Sequence, residues 1–144
     1  MKRRLFFVSI LIVLAASLYA ETVLIASENT GYKKALVKSL IEKLGEEELG
    51  TELIDHRKDD LMQIDPADYK AVYILNSGVR AQVRPPVLEW LNSISGRDSN
   101  VILHTTQTTV WTPPVEVDSI TSASKRSNID ELTDDIVLRI KALQ

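Results

Sequence analysis

The sequence predicts an α/β domain in three layers: a mostly parallel, doubly wound sheet of five strands, with helices on both faces. Three observations predict it. Short runs such as Val23-Leu24-Ile25-Ala26 and Ala71-Val72-Tyr73-Ile74-Leu75 are apolar without alternation, as strands buried on both faces are. Longer stretches between them carry leucine, isoleucine and valine at helical spacing, with lysines on the other side. Glycine, proline and asparagine fall at the joints. Strands alternating with amphipathic helices build a parallel sheet covered on both sides.

Each element follows in order. Thr22 to Ala26 is the first strand, stopped by polar Ser27-Glu28-Asn29-Thr30-Gly31. Tyr32 to Leu44 switches to helical spacing, with Leu36, Val37, Leu40, Ile41 and Leu44 on one face. Gly45 is expected to end that helix, and Glu46-Glu47-Glu48 to form a charged turn. Thr51 to Asp55 is a short second strand, and Asp60 to Ile64 one helical turn. Asp65-Pro66 marks a break, because the residue before proline avoids the helical region. Ala71 to Leu75 is the third strand, closed by Asn76-Ser77-Gly78. Pro85 or Pro86 suits the first turn of a helix whose apolar face is Val87, Leu88, Trp90, Leu91 and Ile94, with Gly96 at its end. Val101-Ile102-Leu103 is the fourth strand and Val115 to Ser122 a weaker fifth. Asn128 with Glu131 reads as a capping pair opening the last helix, with Ile129, Leu132, Ile136, Ile140 and Leu143 along one side. One link is irregular. Thr105 to Pro114 is short and rich in threonine and proline, so the fourth helix is expected to be short or absent. Either a bare loop makes that crossover or the fifth strand pairs antiparallel; the loop is the expectation.

The first 20 residues have the layout of a secretory signal: Lys2, Arg3 and Arg4, then an apolar run to Leu14, then small residues to Ala20. Cleavage is expected after Ala20, with Ser17 the alternative. The domain would then be 21–144, exported to a periplasm or the exterior, and anchored in the membrane only if the signal stays uncleaved. Without those 20 residues the chain has 14 basic and 20 acidic residues, a net charge of −6. That argues against nucleic acid as a partner. No later stretch approaches the roughly 20 apolar residues of a membrane span. There is no cysteine, which removes disulfides, thiol catalysis and iron–sulfur ligation.

In a parallel sheet, ligands gather at the carboxyl ends of the strands, where strand order reverses. The residues expected there are Ser27, Asn29, Thr30 and Gly31 after the first strand, and Asn76, Ser77, Gly78, Arg80 and Arg84 after the third. Thr105, Thr106 and Trp111 follow the fourth strand; Ser122, Ser124, Lys125 and Arg126 follow the fifth. Hydroxyls, cations and a helix start suit a phosphate or a carboxylate, although loops are polar in any case.

The first strand, the Thr30-Gly31 turn and the Tyr32 helix resemble the opening of a flavodoxin, and the order of elements resembles that family over nearly the whole of 21–144. In flavodoxins this loop has the form T-x-T-G-x-T and wraps the phosphate of flavin mononucleotide (FMN). Aligned on Gly31, Thr30 and Gly31 match; Glu28 stands at the first hydroxyl and Lys33 at the last. Glu28 pointing inward would repel a phosphate, and Lys33 would attract one. The resemblance implies FMN as cofactor, electron transfer, and an aromatic ring against the flavin from the loops after strands three and four. Residues 76–84 hold no aromatic; Trp111 is either that ring or a packing tryptophan. The chain thus resembles a degenerate, exported member of the family.

Other chemistry finds less support. His56 and His104 lack partners at zinc-ligand spacing and read as surface or strand-end residues. Asp55, Asp59, Asp60 and Asp65 lack the spacing of a calcium loop and read as a solvated face. Ser77, His104 and Asp118 would make a triad only without the G-x-S-x-G elbow. The reading is therefore a binder of a phosphate-bearing small molecule rather than an enzyme. Its rival is a cofactor-free module that docks another envelope protein through the Arg80–Arg84 loop or Trp111.

Overall fold

A computed structural model describes residues 21–78 and 82–143. The expected signal segment, 1–20, and Arg80 lie outside them. The described residues form five strands and three α-helices, in chain order β1 (Thr22–Ala26), α1 (Gly31–Glu46), β2 (Gly50–Ile54), β3 (Ala71–Ser77), α2 (Pro85–Ser93), β4 (Val101–Thr106), β5 (Asp118–Ser122) and α3 (Ile129–Ala142). The sheet order is β2-β1-β3-β4-β5, and every neighbouring pair is parallel. The fifth strand therefore runs with the others, and residues 107–117 cross over as a loop without a helix. Strand order reverses at β1, so the β1 and β3 tips flank the switch point.

The unbroken apolar runs have a direct cause. Val23 and Ile25 of β1, with Tyr73 and Leu75 of β3, face a core that α1 and α3 close with Leu36, Leu40, Leu44, Ile136 and Ile140. Leu24 and Ala26, with Val72 and Ile74, face the opposite core under α2, which supplies Val87, Trp90 and Leu91. Side chains alternate between faces along a strand, so a sheet covered twice needs apolar residues at every position. Among the described residues α2 is the one α-helix on the second face. Leu61, Ile64 and Tyr69 from the β2–β3 link, and Trp111, Val115 and Val117 from the β4–β5 loop, pack where further helices would lie. Val115 and Val117 belong to that covering and not to β5, which starts at Asp118. Among the described residues no helix is long and apolar enough to cross a membrane.

Two helix ends differ from expectation. Gly45 lies inside α1; the left-handed residue is Glu48, with φ 60°. The Glu48 N–H donates to the Gly45 carbonyl at 3.0 Å, and the Leu49 N–H to the Leu44 carbonyl at 3.0 Å. This Schellman arrangement returns Leu49 to the core beside Leu44. A side chain with Cβ is disfavoured in the left-handed region, so Glu48→Gly should stabilise the domain by about 1 kcal/mol in urea unfolding. A loss of stability would contradict the turn. At α3, Asn128 forms no side-chain cap, because the short 3-10 turn Arg126–Asn128 leads directly into the helix and leaves Asn128 in a helical conformation. Asp130 and Glu131 still suit the positive helix start. Lys43 of α1 reaches Asp130 at 2.7 Å and Asp134 at 2.6 Å, tying the two helices along their solvent side.

Candidate functional site

The β1–α1 turn is built by local bonds. The Ser27 N–H donates to the Ile54 carbonyl at 3.0 Å, which extends the β1–β2 pairing by one residue. The Ser27 hydroxyl and the Thr30 N–H both donate to the Glu28 carbonyl, each at 3.1 Å. These bonds bend the chain into α1, and Lys33 at the third helical position turns inward over the strand tips. Its side chain is 4% exposed and that of Glu28 8%.

Glu28 and Lys33 meet there. Lys33 Nζ lies 3.3 Å from Glu28 Oε2 and also donates to Ser77 Oγ. Ser77 Oγ in turn donates to Glu28 Oε2 at 3.2 Å. Arg84 Nη1 stands 3.7 Å from Glu28 Oε1 and donates to His56 Nδ1 at 3.1 Å. His56 Nε2 faces the Leu75 carbonyl at 2.9 Å, which requires the proton on that nitrogen and leaves Nδ1 to accept. Glu28 Oε1 is buried and takes no hydrogen bond from the described residues.

The electrostatics follow from this packing. Burial pushes the Glu28 carboxyl up, but the Lys33 charge, hydrogen bonds from Lys33 and Ser77, and nearby His56 together leave it below its usual value. Burial lowers the Lys33 ammonium, against the pull of Glu28 and with the repulsion of Arg57 and Arg84. Burial also lowers His56, with Arg84 and Lys33 acting the same way against the Leu75 carbonyl and Glu28. Glu28 is therefore an ionised carboxylate in a cationic, mostly enclosed setting.

The other predicted residues divide into two groups. Asn76, Thr105 and Thr106 hold the edge in shape. Asn76 Oδ1 accepts the Arg84 N–H at 3.1 Å, and its Nδ2 reaches the Gln82 carbonyl and Thr105 Oγ1, each at 3.4 Å. Thr106 Oγ1 donates to the Asn76 carbonyl at 3.4 Å. Asn76 is thus the peg that brings Arg84 back over the β3 tip. Gly78 passes so close to β4 that a Cβ would stand 2.9 Å from Thr105 Cγ2 and Gln107 Cβ.

Ser27, Glu28, Asn29, Lys33, Lys34 and Lys58 line a cavity of about 300 Å³ between α1 and the β1 and β2 tips. Asn29, Thr30 and Gly31 are exposed on the turn itself. Trp111 belongs to a second hollow of about 400 Å³, with Val83, Pro85, Leu88 and Pro114. Both hollows lie at the carboxyl edge of the sheet, one beside β1 and β2, the other between the loops after β3 and β4.

Both histidines are buried, and neither is a surface residue. His104 lies inside β4, where its Nδ1 meets the Tyr73 hydroxyl and its Nε2 the Ser122 hydroxyl, each at 2.6 Å. Burial lowers His104 to about 4, with the Lys33 and Arg139 charges adding to it and Asp135 opposing. Ser77, His104 and Asp118 serve three different clusters, since Asp118 pairs with Arg139. They form no triad. Arg84, expected at this edge from the sequence, does reach the site. His56, Lys34 and Lys58 are the site residues that sequence reasoning left out.

No protein-family model matches the chain, and no curated protein sequence does. Solved structures do. The rubredoxin oxygen:oxidoreductase of the anaerobe Desulfovibrio gigas matches with TM-score 0.60 and 16% identity over 86% of this chain and 36% of that one. A flavodoxin from the domain Archaea matches with TM-score 0.54 and 11% identity, over 83% of this chain and 99% of that one. Oxidised flavodoxin 2 from Bacillus cereus matches with TM-score 0.55 and 10% identity, over 83% and 97%. The chain spans about a third of the length of the oxidoreductase and nearly all of the two flavodoxins. Its fold is flavodoxin-like.

Proposed function

We propose that this chain is an exported flavodoxin-like domain that binds a phosphate-bearing ligand at the β1–α1 turn, with FMN the first candidate, and that residues 1–20 direct its export. One observation carries the reading. In a sequence with more acidic than basic residues, Lys33, Lys34, Lys58 and Arg84 gather around one turn at the start of a 16-residue helix. Cations, hydroxyls and a helix start together favour an anion. The donor set of Ser27, Lys33, Lys34 and Ser77 fits a phosphate, and the apolar hollow at Trp111 suits a flat ring. Bound FMN supplies electron transfer through its ring, as the resemblance to flavodoxins implies. The chain's own residues hold the phosphate, place the ring and set how much water reaches it.

The test is a titration of FMN, and of riboflavin in parallel, into the purified protein with flavin fluorescence as readout. FMN should bind at least ~10-fold more tightly than riboflavin, since only FMN carries the phosphate. No quenching by FMN at about 50 µM protein, where a Kd of micromolar order would show, removes the flavin version. A second reading is favoured by the Glu28–Lys33 pair, which already satisfies the turn from within. In it the domain is cofactor-free and docks an envelope protein through the Trp111 hollow, next to the fully exposed Val110.

A further inference from the structure

We infer that the Glu28 carboxylate is a built-in counter-ion standing where a ligand's phosphate would be held, so that an incoming phosphate must displace it. This rests on the anion-binding part of the reading above. Three elements converge on one carboxylate: Lys33 from α1 at 3.3 Å, Ser77 from β3 at 3.2 Å, and Arg84 from the segment before α2 at 3.7 Å. Glu28 is 8% exposed, so this is an inward arrangement and not a surface contact. Convergence of an ammonium, a hydroxyl and a guanidinium is what a phosphate requires.

The carboxylate is an imperfect occupant. Its Oε1 is buried without a hydrogen bond, and Arg84 stands beyond hydrogen-bond reach of it. An unpaired buried acceptor is unfavourable. A phosphate monoester has three terminal oxygens and can serve Lys33, Ser77 and Arg84 together. Arg84 spends a donor on His56 Nδ1, and its guanidinium, with five N–H donors, has others to offer a phosphate. Glu28 therefore acts as a tethered competitor that offsets part of the Lys33 and Arg84 charge until a better anion arrives.

The experiment compares the full chain with Glu28→Gln and Glu28→Thr. Melting temperature is read in sodium phosphate and in sodium chloride of equal ionic strength, and FMN affinity by fluorescence. The wild type should melt alike in both salts. Glu28→Gln should melt lower in chloride and recover about 3 °C or more in phosphate, since an anion bound only to the native state stabilises it. Both variants should bind FMN about 10-fold more tightly than the wild type. If Glu28→Gln is unfolded in chloride, refolding it in phosphate replaces the melt: recovery supports the inference, and failure in both salts overturns it. Equal phosphate effects on wild type and variant, or unchanged FMN affinity in a wild type that binds FMN, would also overturn it and leave the binding reading standing. Phosphate rescue of Glu28→Gln with no FMN bound by any form supports the counter-ion and removes the flavin.

Discussion

Glu28→Gln in chloride buffer will cost the domain about 3 kcal/mol of unfolding free energy, and Lys33→Met somewhat less, because each leaves one charge enclosed without its counter-charge. Glu28→Gln with Lys33→Met will recover most of that loss. The reasoning starts from burial. Side chains with 4% and 8% exposure gain little from water, so each depends on the other. A buried pair is worth little against apolar replacements, but half of one is expensive. The two losses should differ in a readable way. Without Lys33 the carboxylate keeps Ser77 and the guanidinium of Arg84 at 3.7 Å. In Glu28→Gln the ammonium keeps neutral acceptors alone, the Ser77 hydroxyl and the new amide oxygen, and faces Arg84 with no counter-charge. Glu28→Gln should therefore be the more harmful change. Urea unfolding of the four proteins gives the coupling energy, which should be about 2 kcal/mol or more. Single losses below about 1 kcal/mol, the range of exposed pairs, would show that the two charges are solvated.

Acid should weaken the domain well before its carboxylates are protonated. His104 is held at about 4 in the fold, below the ordinary histidine value of 6.5, because burial disfavours its charged form. Above the unfolded value both states carry a neutral ring, and the full stability is present. As pH falls below that value the unfolded chain takes up a proton that the native ring refuses until about 4. The unfolded state binds more protons across that window, so stability falls with pH, by roughly 3 kcal/mol in all. His56, also lowered by burial, acts in the same direction. Urea midpoints between neutral pH and the low end of that window should drop steeply in the wild type and less in His104→Gln. An identical pH dependence in the variant would show that His104 takes up its proton without opening the fold. The bonds of His104 explain the resistance. The Tyr73 hydroxyl at its Nδ1 is itself fully buried, and its proton has no other described acceptor, so protonating the ring would set two donors against each other.

Much of the fold was legible because its strongest signals are local. Val23 to Ala26 and Ala71 to Leu75 read as strands covered twice, and the short, threonine- and proline-rich Thr105 to Pro114 stretch left a bare-loop crossover or an antiparallel fifth strand, of which the loop is found. The errors came where a local signal has two physical meanings. Val115 and Val117 alternate as a strand does, yet they cover the sheet from a loop. Gly45 near a helix end looks like its stop, but the chain turns only where Leu49 can re-enter the core, which places the left-handed residue at Glu48. Asn128 and Glu131 have capping spacing, but a cap also needs an extended backbone before the helix, and the preceding turn denies it.

At the candidate site the identities were readable and the pairing was not. Glu28 and Lys33 stood out singly as departures from a phosphate loop. Their union depends on Ser77, 49 residues away in sequence from Glu28, and on Arg84 brought back by Asn76. Nothing in a stretch such as Leu103-His104-Thr105 says that the ring is inside. That follows from Tyr73 and Ser122, which meet it only once the strands are paired.

The uneven clothing of the sheet has a consequence for how the molecule breathes. One face is shut by two long helices clipped together by Lys43; the other, around β4 and β5, is shut by Trp111, Val115 and Val117 on a strap with no internal ladder. Peeling a strap breaks few backbone bonds, whereas lifting a helix breaks many, so the low-energy excursions of this domain belong to the Trp111 side. Any visitor to that hollow would thus meet a surface that adjusts, while α1 beside Glu28 holds its backbone in place.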